Sequence, residues 1–343
     1  MLQKYFSLLV FTVLLFNEPN IAQIKTLDNF ENSNGWNEFK ADGVTLNISS
    51  DAGLNGNAIR FDYDFTKGTG YGGIQKFFPI DLPENFEFTF NVKAESPANN
   101  FEIKFIDSTG NNVWWVNNRN YDFPKEWKKI RIKKRHINFA WGPTSDQSLK
   151  RIDRIEFTIA SHVGGKGTLW IDDLKFEPLL PETNIYPIPF ATSSNGTANM
   201  IFDNLTNTRW GSRKTSDEYL FVDFQTSREF GGLKIDWSKD YYASSFEILL
   251  SDDGNNWDKV YTVSSNLSNI SYIRLPEAEA KYMKINFLKY YDSWGISIND
   301  ITILDPNDAT SKNNFLLYVA QNSEKGNHPR YFLDEASFWT VLG

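Results

Sequence analysis

The feature that most constrains this chain is a period of two. Short runs alternate apolar with polar residues: 44–49 (VTLNIS), 58–65 (AIRFDYDF), 86–94 (FEFTFNVKA), 101–107 (FEIKFID), 127–134 (WKKIRIKK), 154–160 (RIEFTIA) and 167–177 (GTLWIDDLKFE). Successive strand side chains point to opposite faces, so each run buries one row and exposes the other. Turn signals such as Asp107-Ser-Thr-Gly and Gly164-Gly-Lys-Gly separate them. No segment here holds a helical period, and the spacing predicts a β-sandwich over residues 24–178. Residues 179–184 read as a linker. The alternation resumes over 185–305, with strands expected at 219–224, 230–237, 245–251, 257–263, 271–275, 281–287 and 297–304. Asp252-Asp-Gly-Asn-Asn256 between two of them is a hairpin-turn signal. The chain has 343 residues, too many for one ordinary sandwich. The expected fold class is therefore all-β, two antiparallel β-sandwiches in tandem. Residues 306–343 change character, and read as a polar connector and the truncated start of a further region. The alternative is a terminal element docked on the second sandwich.

Composition removes several functions. With no cysteine, a disulfide scaffold, a Cys-ligated zinc site and a thiol nucleophile are excluded. His136, His162 and His328 are scattered, without metal-ligand spacing. A net charge of −8 argues against nucleic acid as partner. The start reads as an export signal over residues 1–22: Lys4, an apolar run from Tyr5 to Phe16, and a small Ala22 before the cut. That run is too short to span a bilayer, and no later segment is apolar enough. The expectation is a protein exported to the periplasm, the cell surface or the medium. Aromatic residues make up 16% of the chain, which suits both sandwich cores and sugar binding.

Three ordered landmarks mark the second half: Phe202-Asp-Asn-Leu-Thr-Asn-Thr-Arg-Trp210 followed by Tyr219–Phe224, Phe246 through Trp257, and Trp294-Gly-Ile-Ser-Ile-Asn-Asp-Ile-Thr-Ile303. Together they resemble the discoidin, or coagulation factor 5/8 type C, family, which in bacteria overlaps the family 32 carbohydrate-binding modules. The resemblance covers 185–305. It implies an eight-stranded, galactose-binding-like jelly roll with ligands on loops at one end. Implied ligand residues are Arg213, Lys214, Tyr241, Tyr242, Tyr290 and Tyr291, whereas Trp210, Trp257 and Trp294 belong to the landmarks and are expected in the core. The resemblance also implies a structural calcium at Asp203, Thr206 and Thr208. Asp300 stands where relatives usually place a longer Glu. The alternative is an Asx turn capped by Asp203 with no metal.

In the first half, Leu27-Asp-Asn-Phe-Glu-Asn-Ser-Asn-Gly-Trp36 and Leu169-Trp-Ile-Asp-Asp-Leu-Lys-Phe176 resemble the family 11 carbohydrate-binding modules. That likeness implies pairing of the two termini. Pairing would gather Asp28, Glu31 and Asp173, either around a second calcium or as solvent-separated acids. Trp114, Trp115, Trp141 and Tyr71 are candidate sugar platforms. On a strand, one of Trp114 and Trp115 must point inward and the other outward. Residues 125–136 (KEWKKIRIKKRH) place a basic stripe beside inward Ile130 and Ile132, either to meet an acidic polysaccharide or to blunt strand pairing.

No motif isolates a catalytic carboxylate pair, and there is no nucleophile elbow. The expected function is non-catalytic polysaccharide binding that targets a glycosidase-like protein to glycan. Two alternatives stay open: a glycoside hydrolase whose catalytic domain lies beyond residue 343, and an adhesion or phospholipid-binding module.

Overall fold

The computed structural model describes residues 24–181, 185–194, 196–205, 207–212, 217–292, 295–309, 312–323 and 329–333. The expected export signal, Thr206, Arg213, Lys214 and Trp294 lie outside the described residues. The chain divides into two compact units, one up to Glu182 and one from Thr183.

In the first unit twelve strands are described: β1 (Lys25–Asp28), β2 (Asn37–Lys40), β3 (Thr45–Ala52), β4 (Asn57–Asp64), β5 (Tyr71–Asp81), β6 (Asn85–Glu95), β7 (Asn99–Ile106), β8 (Val113–Tyr121), β9 (Lys128–Lys133), β10 (Asn138–Trp141), β11 (Arg151–Ala160) and β12 (Lys166–Leu179). They form two antiparallel sheets. One runs β3-β4-β12-β6-β9 with β1 beside β12; the other runs β10-β8-β7-β11-β5-β2. Alternation decides what each strand buries. On β6, Phe86, Phe88, Phe90 and Val92 enter the core; on β7 Phe101, Ile103 and Phe105 do, and on β11 Ile155, Phe157 and Ile159. Rings meet across the two sheets, Phe88 on Phe105 and Phe90 on Phe157, each at 4.9 Å. Each such buried ring contributes about 2–3 kcal/mol of transfer free energy. The termini pair: Lys25 lies opposite Phe176 and Asp28 opposite Leu174.

The second unit holds β13 (Phe190–Ser193), β14 (Gly196–Thr197), β15 (Trp210–Gly211), β16 (Tyr219–Trp237), β17 (Ala243–Ser251), β18 (Asp258–Val263), β19 (Ile270–Tyr290), β20 (Ser297–Leu304) and β21 (Arg330–Phe332). Two long strands organise it. β16 joins the expected strands at 219–224 and 230–237, and β19 joins those at 271–275 and 281–287. They pair along their length, but the register breaks between Asp223 and Arg228 and again between Phe230 and Gly232. Beyond the break, β20 joins the later half of β16, and β17 joins the later half of β19. Both halves feed one core, with Leu220, Val222 and Phe224 from one and Leu233, Ile235 and Trp237 from the other. Gly232 sits at the break at φ +151°, where an added Cβ would run into the Ile273 carbonyl oxygen. After β20, a short helix α1 (Pro306–Ala309) and α2 (Lys312–Asn322) pack Ala309, Phe315 and Val319 against Tyr272 and Leu304. β21 then adds parallel to β19, Ser271 opposite Arg330.

Candidate functional site

In the first unit the candidate site is the outer face of the sheet that contains β7. Because Phe101, Ile103 and Phe105 go inward, Glu102 and Lys104 must face out. Register aligns them into cross-strand rows. One row reads Asn138, Trp115, Lys104, Glu156, Gln75, Asn37; the next reads Asn117, Glu102, Thr158, Gly73, Phe39. Trp115 meets Trp141 edge-on at 5.4 Å. Trp141 and Tyr71 are 47% and 46% exposed, which leaves much of each ring open to a ligand. Phe39 and Tyr71 lie 6.1 Å apart. Gly73 makes room there: a Cβ would stand 2.8 Å from the Phe39 ring and 2.5 Å from the Phe157 carbonyl oxygen.

Between these rings lies a charged floor. The Lys104 ammonium pairs with Glu102 at 3.0 Å and stands 5.9 Å from the ring centroids of both Tyr71 and Trp141. Arg154 reaches Glu156 at 3.3 Å. Burial pushes the Glu156 carboxyl above its ordinary range, against the pull of Lys104 and Arg154 and with the added charge of Glu102. The Asn117 side-chain oxygen is buried and has no hydrogen-bond partner among the described residues. Rings at the sides and hydrogen-bonding groups between them suit a sugar, whose C–H faces stack and whose hydroxyls both donate and accept. Glu102, Lys104, Asn117 and Glu156 were not singled out from sequence. Alternation in FEIKFID and RIEFTIA marks Glu102, Lys104 and Glu156 as outward; only the strand order puts them together with Asn117.

Trp114 does not join this face. It is buried, packs on Phe139, and donates its Nε1–H to the Gln147 carbonyl at 2.6 Å. Its neighbour Trp115 takes the outward position, as alternation requires.

The acids at the paired termini are not brought together as a metal cluster. Asp28 accepts from Trp36 Nε1 at 3.0 Å and from Lys76 at 2.6 Å. Asp173 is held by Lys175 at 2.5 Å. Glu31 accepts from the Asn57 amide at 3.3 Å. The buried carboxylate at this edge is Asp172, which accepts the Leu54 and Asn55 amides at 2.8 and 3.2 Å. Two of the three expected ligands thus already have lysine counter-ions, so the set Asp28, Glu31, Asp173 does not fit calcium.

In the second unit the tyrosine pairs do meet. The Tyr291 amide donates to the Tyr242 carbonyl at 3.0 Å, and the two rings stack at 4.4 Å and 20°. Tyr242 is buried beneath, and burial with the neighbouring Tyr291 pushes its hydroxyl pKa up. Tyr291 and Tyr241 are exposed, while Tyr290 packs against the core. Arg209 donates to the Ser238 hydroxyl at 3.4 Å, which brings a guanidinium to the start of this loop. The loop holding exposed Leu267 is tied on by Asn266, whose side-chain amide donates to the Ala243 carbonyl. Trp210 is buried on Phe287. Trp257 is half-buried against Phe221, with the Lys284 ammonium 4.2 Å from its ring centroid.

Asp203 accepts the Leu205 amide and the Thr208 hydroxyl, each at 2.9 Å, an Asx turn that holds the loop. Burial raises the Asp300 carboxyl, opposed by Thr302 and Lys234, with the charges of Asp236 and Asp203 adding to the rise. Mutually repelling carboxylates beside a hydroxyl-rich loop fit a hard cation. Among the described residues, no three acidic or His side chains converge at ligating distance. A cation here would therefore take Asp203 and Asp300 with hydroxyl or carbonyl oxygens. Among the described residues, no helix is long and apolar enough to cross a membrane.

Solved structures similar to the chain include the family 11 carbohydrate-binding module of the cellulosomal cellulase Lic26A-Cel5E of Clostridium thermocellum, at 22% identity over 48% of this chain and 99% of the module, TM-score 0.39. Chitosan-binding module 1 of a chitosanase/glucanase from Paenibacillus sp. IK-5 is 27% identical over 36% of this chain and 98% of the module, TM-score 0.33. CpGH89CBM32-5 of Clostridium perfringens, in complex with GalNAc-β-1,3-galactose, is 17% identical over 34% of this chain and 94% of the module, TM-score 0.31. No curated protein matches the sequence significantly. The F5/8 type C domain model matches residues 188–301, and this stretch of the second unit is an F5/8 type C domain.

Proposed function

We propose that the chain is an exported, non-catalytic glycan-binding protein that holds a glycosidase-like activity near its polysaccharide. One observation carries the binding reading: the partly exposed rings of Trp115, Trp141 and Tyr71 border a largely buried charged floor of Glu102, Lys104 and Glu156 on the outer face of the sheet. The F5/8 type C domain supports it, with Tyr241 and Tyr291 as the rings a sugar would meet there. Calcium at Asp203 and Asp300 would brace that domain's loops. Export rests on the amino-terminal pattern, and service to a glycosidase rests on the module architecture.

The test is titration of the protein with soluble polysaccharides by calorimetry. Replacing both Trp115 and Trp141 by Ala removes two stacking rings. Each is worth about 1 kcal/mol, so the pair should weaken glycan affinity at least tenfold with little change in melting temperature. An unchanged affinity would remove the face from the function. A second reading, binding to phospholipid surfaces, is favoured by Leu205 and Leu267, both more than half exposed. Sedimentation with anionic vesicles, lost on Leu267→Asp, would support it.

A further inference from the structure

We infer that the first unit carries a second ligand site, distinct from the Trp115–Trp141 face, for an anionic glycan bearing carboxylate or sulfate groups. It lies along β9 and the 3-10 turn that follows. Residues 125–135 hold Lys125, Lys128, Lys129, Arg131, Lys133, Lys134 and Arg135 against a single acid, Glu126, in a chain of net charge −8. That is a local reversal of sign. Among the described residues β9 pairs only with β6, which makes it an edge strand.

Part of this charge is paired within the fold. Arg131 holds Glu87 at 2.8 Å. The exposed Lys128 and Lys129 have no acidic partner within 4.0 Å among the described residues. The Lys134 ammonium donates to the Glu84 backbone carbonyl at 2.6 Å, a contact that leaves its charge unneutralised. The crowding is felt by His136: burial, with Arg135, Lys133 and Arg131 around it, lowers its pKa to about 4.

The stripe ends at a groove of about 320 Å³. Trp114, Ile137 and Leu149 give it an apolar wall; Lys134, Arg135 and Ser148 give it donors, and Glu84 is its only acid. Guarding an edge against strand pairing explains charges on β9 itself. It does not explain cations on the turn beyond the strand, nor a groove that joins them to an apolar wall. A sugar ring with an anionic substituent uses both parts, the ring on the wall and the anion on Lys134 and Arg135. Duplex nucleic acid would need a broader basic surface and has no use for the wall.

The experiment measures binding of the protein to polygalacturonate, dextran sulfate, a neutral glucan and duplex DNA, at low salt and at 0.5 M salt (roughly a 4 Å screening length). We expect both anionic polymers to bind, with affinity that falls steeply in high salt. The double variant Lys134→Ala/Arg135→Ala should lose at least tenfold for the anionic polymers and keep its neutral-glucan affinity. Trp141→Ala should do the reverse, so failure here and failure of the aromatic face are read separately. Circular dichroism and melting temperature establish that both variants are folded. The site is overturned if neither anionic polymer binds at low salt, if the double variant binds as tightly as the parent, or if DNA binds as well as the polysaccharides.

Discussion

Glu156 shows how a single side chain is reset by where the fold puts it. On the sequence it is one of many exposed acids. In the structure it stands directly opposite Lys104 and beside Arg154, yet burial dominates and raises its pKa above the ordinary 4.5. The proton is therefore bound more tightly in the folded than in the unfolded chain. The stability this confers is full below the unfolded value and is lost as pH rises through the folded one. We expect Glu156→Gln, which keeps the shape and removes the charge, to flatten that dependence. Urea unfolding followed from pH 4 to pH 8 checks it: the parent should lose stability relative to the variant as pH rises. A parent that gains on the variant over that range would mean the ion pairs outweigh burial. At this scale the sequence was half legible. Alternation marked Glu102, Lys104 and Glu156 as outward and split Trp114 from Trp115. That the outward residues converge depends on β7, β8 and β11 being neighbours, a fact of topology that no local pattern carries.

Strands were the most legible elements, because a buried face imposes a period of two that turns interrupt. Residues 297–304 were expected as a strand and form one with the same bounds. Residues 219–224 and 230–237 were expected as two strands and form one, and so do 271–275 and 281–287. The reason is physical. A strand that passes from one half of a folded sheet to the other breaks its alternation at the corner, and a polar run or a Pro there imitates a turn. The polar run 225–229 (QTSRE) and Pro276 stand at those breaks, and Gly231-Gly232 follows at the second register shift of the first long strand. Gly232 is the tighter constraint, with φ +151° and no room for a Cβ against the Ile273 carbonyl. We expect Gly232→Ala to cost about 3 kcal/mol or more, combining backbone strain with overpacking. Gly196, with φ +118° but nothing within 4 Å of its Cβ position, is the control for strain alone. Chemical denaturation of the two variants should rank Gly232→Ala well below Gly196→Ala. Equal losses would show that the clash relaxes and that the corner is not rigid. The helix α2 was missed for a related reason. Its buried residues, Phe315 and Val319, are four apart, but Leu316 and Leu317 beside them are exposed, so no single apolar face stands out.

For the molecule as a whole, the two cores are separate sets of side chains, one drawn from residues 30–176 and the other from 191–301. Each unit therefore has the means to unfold on its own, and calorimetry should resolve two transitions. Calcium is expected to act on them differently. In the first unit, Asp28 and Asp173 already hold lysines, so calcium has little to replace. In the second, burial raises the Asp300 carboxyl and the charges of Asp236 and Asp203 add to the rise, which a cation beside it would relieve. A ligand that binds only the folded state at a hundred times its dissociation constant stabilises by about 2.7 kcal/mol, enough to move a domain's melting point by several degrees. We expect millimolar calcium to raise one of the two transitions and leave the other in place. Asp203→Ala should abolish the shift. Asp173→Asn should leave it intact, because that residue belongs to the unit whose acids are already neutralised. The identity of the responding unit follows from Ile159→Val and Ile248→Val, core changes that each lower one transition. A calcium shift that survives Asp203→Ala, or one confined to the first unit, would move the cation to the Glu31 and Asp172 edge, where buried Asp172 is held only by backbone amides.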